Sequence, residues 1–260
     1  MSRLLTGTAI SLAMVAGAAA ADLPVYTKAP PPAPPVWSWT GWYLGLNAGG
    51  AWTRSHVAYV QTGAYPAFNG PVDVAFADAL GSPTLNRTGF TGGAQAGYNY
   101  QAGWAVWGLE TDINYLHTSA GNFAAGTLPV SGAGVTSTVN ATTDWLYTLR
   151  GRLGVSADRA LFYITGGLAV GNESFSQNFF HTVSGSFEAG STSSTKAGWT
   201  GGGGVEYAFT NHVSAKLEYL YVDLGSVSFN SANNAFPTFT AANSASLKES
   251  IVRGGINYRF

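Results

Sequence analysis

From Trp37 to Phe260 the hydrophobic positions recur with a period of two, and no long apolar run interrupts them. In 42–52 the even positions are Trp42, Leu44, Leu46, Ala48, Gly50 and Trp52, and the odd ones are small or polar. Such alternation belongs to a strand with one apolar face. Ten steps of ~3.3 Å, tilted by about 40°, rise about 25 Å, the height of an outer-membrane apolar band. Trp at both limits places an amphipathic ring at each membrane interface.

Seven more segments repeat the pattern. Phe90, Ala94, Ala96, Tyr98 and Tyr100 oppose Thr91, Gln95 and Asn99, and Trp107, Leu109, Ile113 and Tyr115 oppose Glu110, Asp112 and Asn114. Trp145, Tyr147, Leu149 and Leu153 oppose Arg150 and Arg152, and Phe162, Ile164, Leu168 and Val170 oppose Tyr163 and Thr165. Trp199, Val205 and Tyr207 oppose Glu206. Val213, Leu217, Tyr219 and Tyr221 oppose Lys216 and Glu218, and Val252, Ile256, Tyr258 and Phe260 oppose Arg253 and Arg259. Long connections at 53–88, 118–143, 172–196 and 224–246 alternate with short ones at 101–103, 156–160 and 210–212. The spacing predicts an all-β chain, an eight-stranded antiparallel up-and-down transmembrane β-barrel, with four long loops at one end, three tight turns at the other and both termini on the turn side. A soluble eight-stranded barrel of the lipocalin kind places its apolar face inside, whereas here the charges share one face and the Trp- and Tyr-bounded residues the other.

Charge adds to this picture. Only 10% of residues are charged, aromatics reach 13% and Gly numbers 34. The net charge of -1 offers nothing to nucleic acid. The inferred lumen face collects Glu110, Asp112, Glu206 and Glu218 with Arg150, Arg152, Lys216 and Arg253. A barrel of eight strands is just wide enough for its own side chains to fill. Charges inside it must pair, so the balanced set reads as a structural ion network, with a charged ion-selecting constriction as the competing reading. Lumen glycines such as Gly45, Gly97 and Gly204 leave space that water could occupy. The interface anchors are Trp42, Trp52, Trp107, Trp145, Trp199, Tyr219 and Tyr221.

The N-terminus reads separately. Arg3, an uncharged stretch 4–21 and the run Ala18-Ala19-Ala20-Ala21 form a secretory signal peptide over 1–21. Residues 22–36 carry Pro24, Pro30, Pro31, Pro32, Pro34 and Pro35, a stiff extended periplasmic lead before a barrel at 37–260. Cysteine is absent, which removes disulfides, thiol catalysis and cysteine-held metals.

The closing run Arg253-Gly254-Gly255-Ile256-Asn257-Tyr258-Arg259-Phe260 looks like a C-terminal assembly signal, carried by Arg253, Gly255, Tyr258 and the terminal Phe260. The wider chain resembles the outer-membrane immunogenic protein family of alphaproteobacteria, within the OmpA-like and opacity-type barrels. The resemblance rests on Trp39-Thr40-Gly41-Trp42-Tyr43-Leu44-Gly45, Gly108-Leu109-Glu110-Thr111-Asp112-Ile113, Leu149-Arg150-Gly151-Arg152-Leu153-Gly154, Gly201 through Tyr207, Ala215 through Gly225, and the C-terminus. It implies a Gram-negative outer-membrane location, a role in envelope integrity, antigenic loops, and recognition by the outer-membrane assembly machinery. Members are often termed porins. The family supplies no catalytic residues.

No G-x-S-x-G, H-E-x-x-H or phosphate-loop context occurs, so neither enzymatic activity nor a cofactor or metal is expected. His56, His117, His181 and His212 fall in or beside connections, and capture of haem or another ligand by the first three is one alternative function. Loop aromatics including Tyr59, Phe68, Phe175, Phe179, Phe236 and Phe239 suggest either a cap over the mouth or an adhesin surface. The expected protein is a monomer in contact with outer-membrane lipid and lipopolysaccharide. It has at most small-solute permeability, with a solute-selective porin as the alternative.

Overall fold

A computed structural model describes residues 37–260. The signal peptide over 1–21 and the Pro-rich lead over 22–36 lie outside the described residues. Eight strands close into one antiparallel ring in sequence order: β1 (Gly41–Gly63), β2 (Thr84–Ala102), β3 (Ala105–Thr127), β4 (Gly134–Ala157), β5 (Ala160–His181), β6 (Phe187–Ala208), β7 (Val213–Asn233) and β8 (Phe239–Arg259). β1 closes on β8 through pairs running from Tyr43–Arg259 to Gly63–Phe239.

The turn end follows the predicted spacing. Gly103 at φ 61° and Asp158 at φ 53° supply the left-handed residues that tight hairpins require. The other end does not consist of long loops. β1 runs on from Trp52 to Gly63, β3 reaches Thr127 and β4 begins at Gly134, leaving short crossings at 128–133, 182–186 and 234–238. The first connection instead carries a helix, α1 (Tyr65–Gly81), broken at Gly70 (φ 74°) ahead of Pro71.

The physical reason is a change of solvent outside the wall. Between the two aromatic rings the outer face meets lipid, so apolar residues point out and polar ones in. Above the upper ring the outer face meets water, so the assignment inverts. Leu116, Val139, Leu146, Leu220, Val222 and Ile251 pack inward as a lumenal apolar layer. Irregularities at Tyr115/Thr118, Thr143/Leu146 and Asp223/Gly225 sit at this height. In β4 the bulge leaves Asp144 and Trp145 both outside while Thr143 and Leu146 both stay in.

Higher still, Tyr59, Leu128, Val135 and Phe179 form a second apolar layer beneath α1, where Ala77 is fully buried. Asp73 holds α1 down by accepting the Val130 and Ser131 N–H groups at 2.8 and 3.0 Å. At the turn end, Trp39, Val106, Leu161 and Ala208 fill the mouth.

Candidate functional site: the lumen ion network

All eight predicted lumen charges come together in one layer between the mouth and the lower apolar floor. Their positions follow from the pleat and the register. Glu110 and Asp112 alternate inward on β3, Arg150 and Arg152 on β4, Lys216 and Glu218 on β7, with Glu206 from β6 and Arg253 from β8. Antiparallel pairing sets opposite charges face to face as Glu110–Arg150, Glu206–Lys216 and Glu218–Arg253.

Arg150 is the hub. Its Nη2 lies 2.5 Å from Glu110 and 2.6 Å from Asp112, its Nη1 3.1 Å from Glu218, and its Nε donates to Thr148 Oγ1 at 2.9 Å. Arg253 bridges Asp112 and Glu218 at 3.0 and 2.7 Å. Lys216 sits 2.9 Å from Glu110, and Arg152 reaches Glu206 at 2.8 Å and Glu110 at 3.3 Å. Each of these side chains is almost fully buried.

Neutral groups complete the layer. Tyr43 donates to Glu110 at 2.8 Å and accepts from Arg152 at 2.8 Å. Tyr163 donates to Glu218 at 3.0 Å while its ring lies 3.9 Å from the Arg152 guanidinium. Ser214 and Asn257 donate to Glu206. At Gly97 and Gly204 the space is taken by neighbouring side chains. A Cβ at Gly97 collides with the Tyr43 hydroxyl, and one at Gly204 with the Tyr163 ring. These glycines make room for large polar side chains.

The interface anchors face outward. Trp42, Trp52, Trp107, Trp199 and Tyr219 are exposed, and Trp145 and Tyr221 half-buried, with Trp199 packed against Tyr221 at 5.5 Å. Of the assembly-signal residues, Arg253 and Gly255 point inward, and Tyr258 and Phe260 outward. The Phe260 N–H bonds the Trp42 carbonyl at 3.2 Å.

Three polar clusters lie beyond the predicted set. Arg87 pairs with Glu173 at 3.1 Å in the upper lumen, where Thr143 also donates to Glu173 and Thr53 to Glu249. Arg259 lies over the Trp37 and Trp39 rings at 4.5 and 5.3 Å in the turn-end mouth. Under the helical cap, Tyr59 and Gln61 both donate to Glu188. Following the period of two past Trp52 would have turned Thr53, Tyr59 and Gln61 inward.

The four histidines stay apart. His56 and His117 are on the outer wall, His181 packs between Tyr65 and Phe179 under the cap, and His212 stacks on Tyr258 in a turn. No cluster of three metal-ligating side chains occurs among the described residues. The aromatics expected in loops divide: Tyr59, Phe175 and Phe179 lie inside, whereas Phe68, Phe236 and Phe239 gather on the outer surface of the cap.

Glu188 stands well above the upper aromatic ring. Burial pushes its carboxyl above the usual carboxylate range, against the pull of the bonds from Tyr59 and Gln61. The folded chain therefore holds this proton more tightly than the unfolded chain. Lowering the pH stabilises the cap through this group, and the gain is lost as the pH rises through the raised value. His181, 4.0 Å away and pushed down by burial, acts in the opposite sense. Glu188→Gln keeps the hydrogen-bonding shape without the buried charge. Amide exchange in α1 is expected to be slower in Glu188→Gln than in the native protein at alkaline pH, with the difference shrinking as the pH is lowered.

The sequence pattern of the family described as "Outer membrane protein beta-barrel domain" matches residues 8–260. The chain is 34% identical to the 31 kDa outer-membrane immunogenic protein of Brucella melitensis, over 96% of this chain and 97% of that protein. It is 25% identical to the 25 kDa outer-membrane immunogenic protein of Brucella abortus, over 100% and 99%. Among solved structures, Neisserial surface protein A aligns over 85% of this chain and 98% of that one, at 14% identity and a TM-score of 0.35.

Proposed function

The chain belongs to the outer-membrane β-barrel protein family and is an outer-membrane protein, and from that premise we propose that it is a closed, non-enzymatic barrel serving envelope integrity. The carrying observation is the lumen cross-section: eight charges, four of each sign, saturate one another with almost no exposure, between an aromatic plug below and an apolar floor above. An ion crossing the lumen meets a layer in which each of these eight charges already holds a counter-charge, and then a layer of Leu, Val and Ile that encloses the Arg87–Glu173 pair and Glu249. A solute-selective porin needs an open, hydrated lumen, so the closed reading has the better support.

The short turns then face the periplasm and the helical cap faces outside. Export through a cleaved signal at 1–21, a monomeric state, and assembly directed by the C-terminal Phe260 complete the proposal. The test is single-channel recording of refolded residues 22–260 in a planar bilayer. A silent bilayer is expected from protein whose heat-modifiable gel mobility proves it folded. Reproducible discrete steps, altered by Glu110→Gln, would establish an open filter instead.

A further inference from the structure

The outer wall over β8, β1 and β2 differs from the rest of the girdle. The β1–β8 ladder is interrupted between Thr53–Glu249 and Val57–Ala245; continuing its register places Arg54 opposite Lys248, both exposed and lining one cleft, while Lys248 pairs with Asp223 on its other side. Like charges facing one another across a strand pair destabilise the sheet. Arg54 has no carboxylate partner among the described residues, and Lys248 has only Asp223 at 3.9 Å. On the other side Arg54 pairs with Asn86, and Trp52 with Thr88. These residues line a cleft of about 460 Å³ immediately above the Trp52 ring, at headgroup height.

Directly below, on the same strands, the lipid face is concave. The groove, of about 1290 Å³, runs from Phe90 down to Leu44, Val213 and Tyr258 near the turn end, and the small residues Ala48, Gly92 and Gly254 line the part nearest the cleft. A paired cationic cleft over an apolar groove matches an amphiphile with an anionic head and several acyl chains. Because the cleft lies on the cap side of the wall, the leaflet it meets is the outer one, whose lipid is lipopolysaccharide.

We propose that this wall is a binding site for one lipopolysaccharide molecule, with a lipid A phosphate between Arg54 and Lys248 and acyl chains in the groove beneath. The anion relieves the facing charges, and Asn86 and Thr88 offer it further hydrogen bonds. Asp223 is the competing anion for Lys248. The proposal depends on the barrel's orientation in the membrane and is independent of whether the lumen conducts.

The test uses the full chain purified in detergent and stripped of lipid. It is titrated with lipopolysaccharide, with the enzymatically dephosphorylated form, and with phosphatidylglycerol, and followed by tryptophan fluorescence, to which Trp52 in the cleft contributes. Native lipopolysaccharide is expected to bind about tenfold more tightly than either alternative, the scale of a lost charge-assisted contact. Arg54→Gln/Lys248→Gln is expected to lose about tenfold, and Asp223→Asn to bind more tightly. Gly254→Leu, at a position where a Cβ meets only the Lys216 carbonyl at 3.8 Å, fills the groove and is expected to weaken binding without unfolding the barrel.

Binding within twofold of native by the double variant, or equal binding of the dephosphorylated form, overturns the phosphate site. Equal binding of phosphatidylglycerol overturns the outer-leaflet source, and undiminished binding by Gly254→Leu overturns the acyl groove. A silent or conducting bilayer bears on none of these outcomes, so the two proposals fail separately.

Discussion

Arg150→Ala is expected to destabilise the barrel by about 3–5 kcal/mol, the cost of breaking a buried ion pair by removing one partner. Arg150 sits at zero exposure and faces Glu110, Asp112 and Glu218. Without it the layer holds four carboxylates against three cations. Lys216, Arg152 and Arg253 already hold partners of their own, and the apolar residues packed above offer the freed carboxylates no hydrogen-bond donor. The control is Arg54→Ala on the outer wall, where a lost exposed charge should shift stability by no more than about 0.5 kcal/mol in lipid-free detergent. Urea unfolding followed by tryptophan fluorescence measures both. Equal midpoints for the two variants would mean that the lumenal charges are hydrated, and with that the closed-lumen reading would fail.

The second large effect is steric. Gly97→Ala is expected to cost about 1–3 kcal/mol, the range for overpacking a filled interior. The new Cβ meets the Tyr43 hydroxyl and stands 2.6 Å from the Leu109 carbonyl oxygen. Tyr43 cannot swing aside cheaply, because its hydroxyl is held by Glu110 and Arg152 at 2.8 Å each. Gly151, between Leu149 and Leu153 on the lipid face, is the matched control. The nearest atom to an added Cβ is the Gly166 carbonyl oxygen at 3.9 Å, so Gly151→Ala should be neutral within about 0.5 kcal/mol. The same unfolding titration separates the two. A neutral Gly97→Ala would show that the lumen around Tyr43 has slack, which would reopen the case for a hydrated path.

The Arg54 and Arg150 variants also divide the molecule's two proposed roles. One changes lipid capture on the wall and leaves the fold intact, and the other weakens the fold and leaves the wall chemistry in place. A single variant strain carrying either one can therefore be assigned to its cause by measuring stability and lipopolysaccharide binding side by side.

Between the aromatic rings the sequence by itself determined almost everything. A period of two with Trp42 and Trp52 at its limits specifies a tilted strand across an apolar layer, because lipid outside and polar packing inside make opposite demands on alternate residues. The same alternation turned the eight charges of the network inward, and their equal numbers fit the cost of leaving any one of them buried and unpaired. What only the tertiary structure decided lies above and inside. Beyond Trp52 the wall meets water, the inward face turns apolar, and bulges at Thr143/Leu146 and Asp223/Gly225 shift the phase, so a pattern defined by outward apolar residues ends there although the strands continue. The helix over Tyr65–Gly81 depends on Asp73 reaching the β3–β4 crossing, a contact between residues 57 positions apart in the chain. Whether the lumen glycines are voids or sockets likewise depends on which strand faces them: register brings Tyr43 against Gly97, and the ring closure brings Arg150 within reach of Glu218 across the lumen. Both are long-range geometric facts, to which local residue spacing is blind.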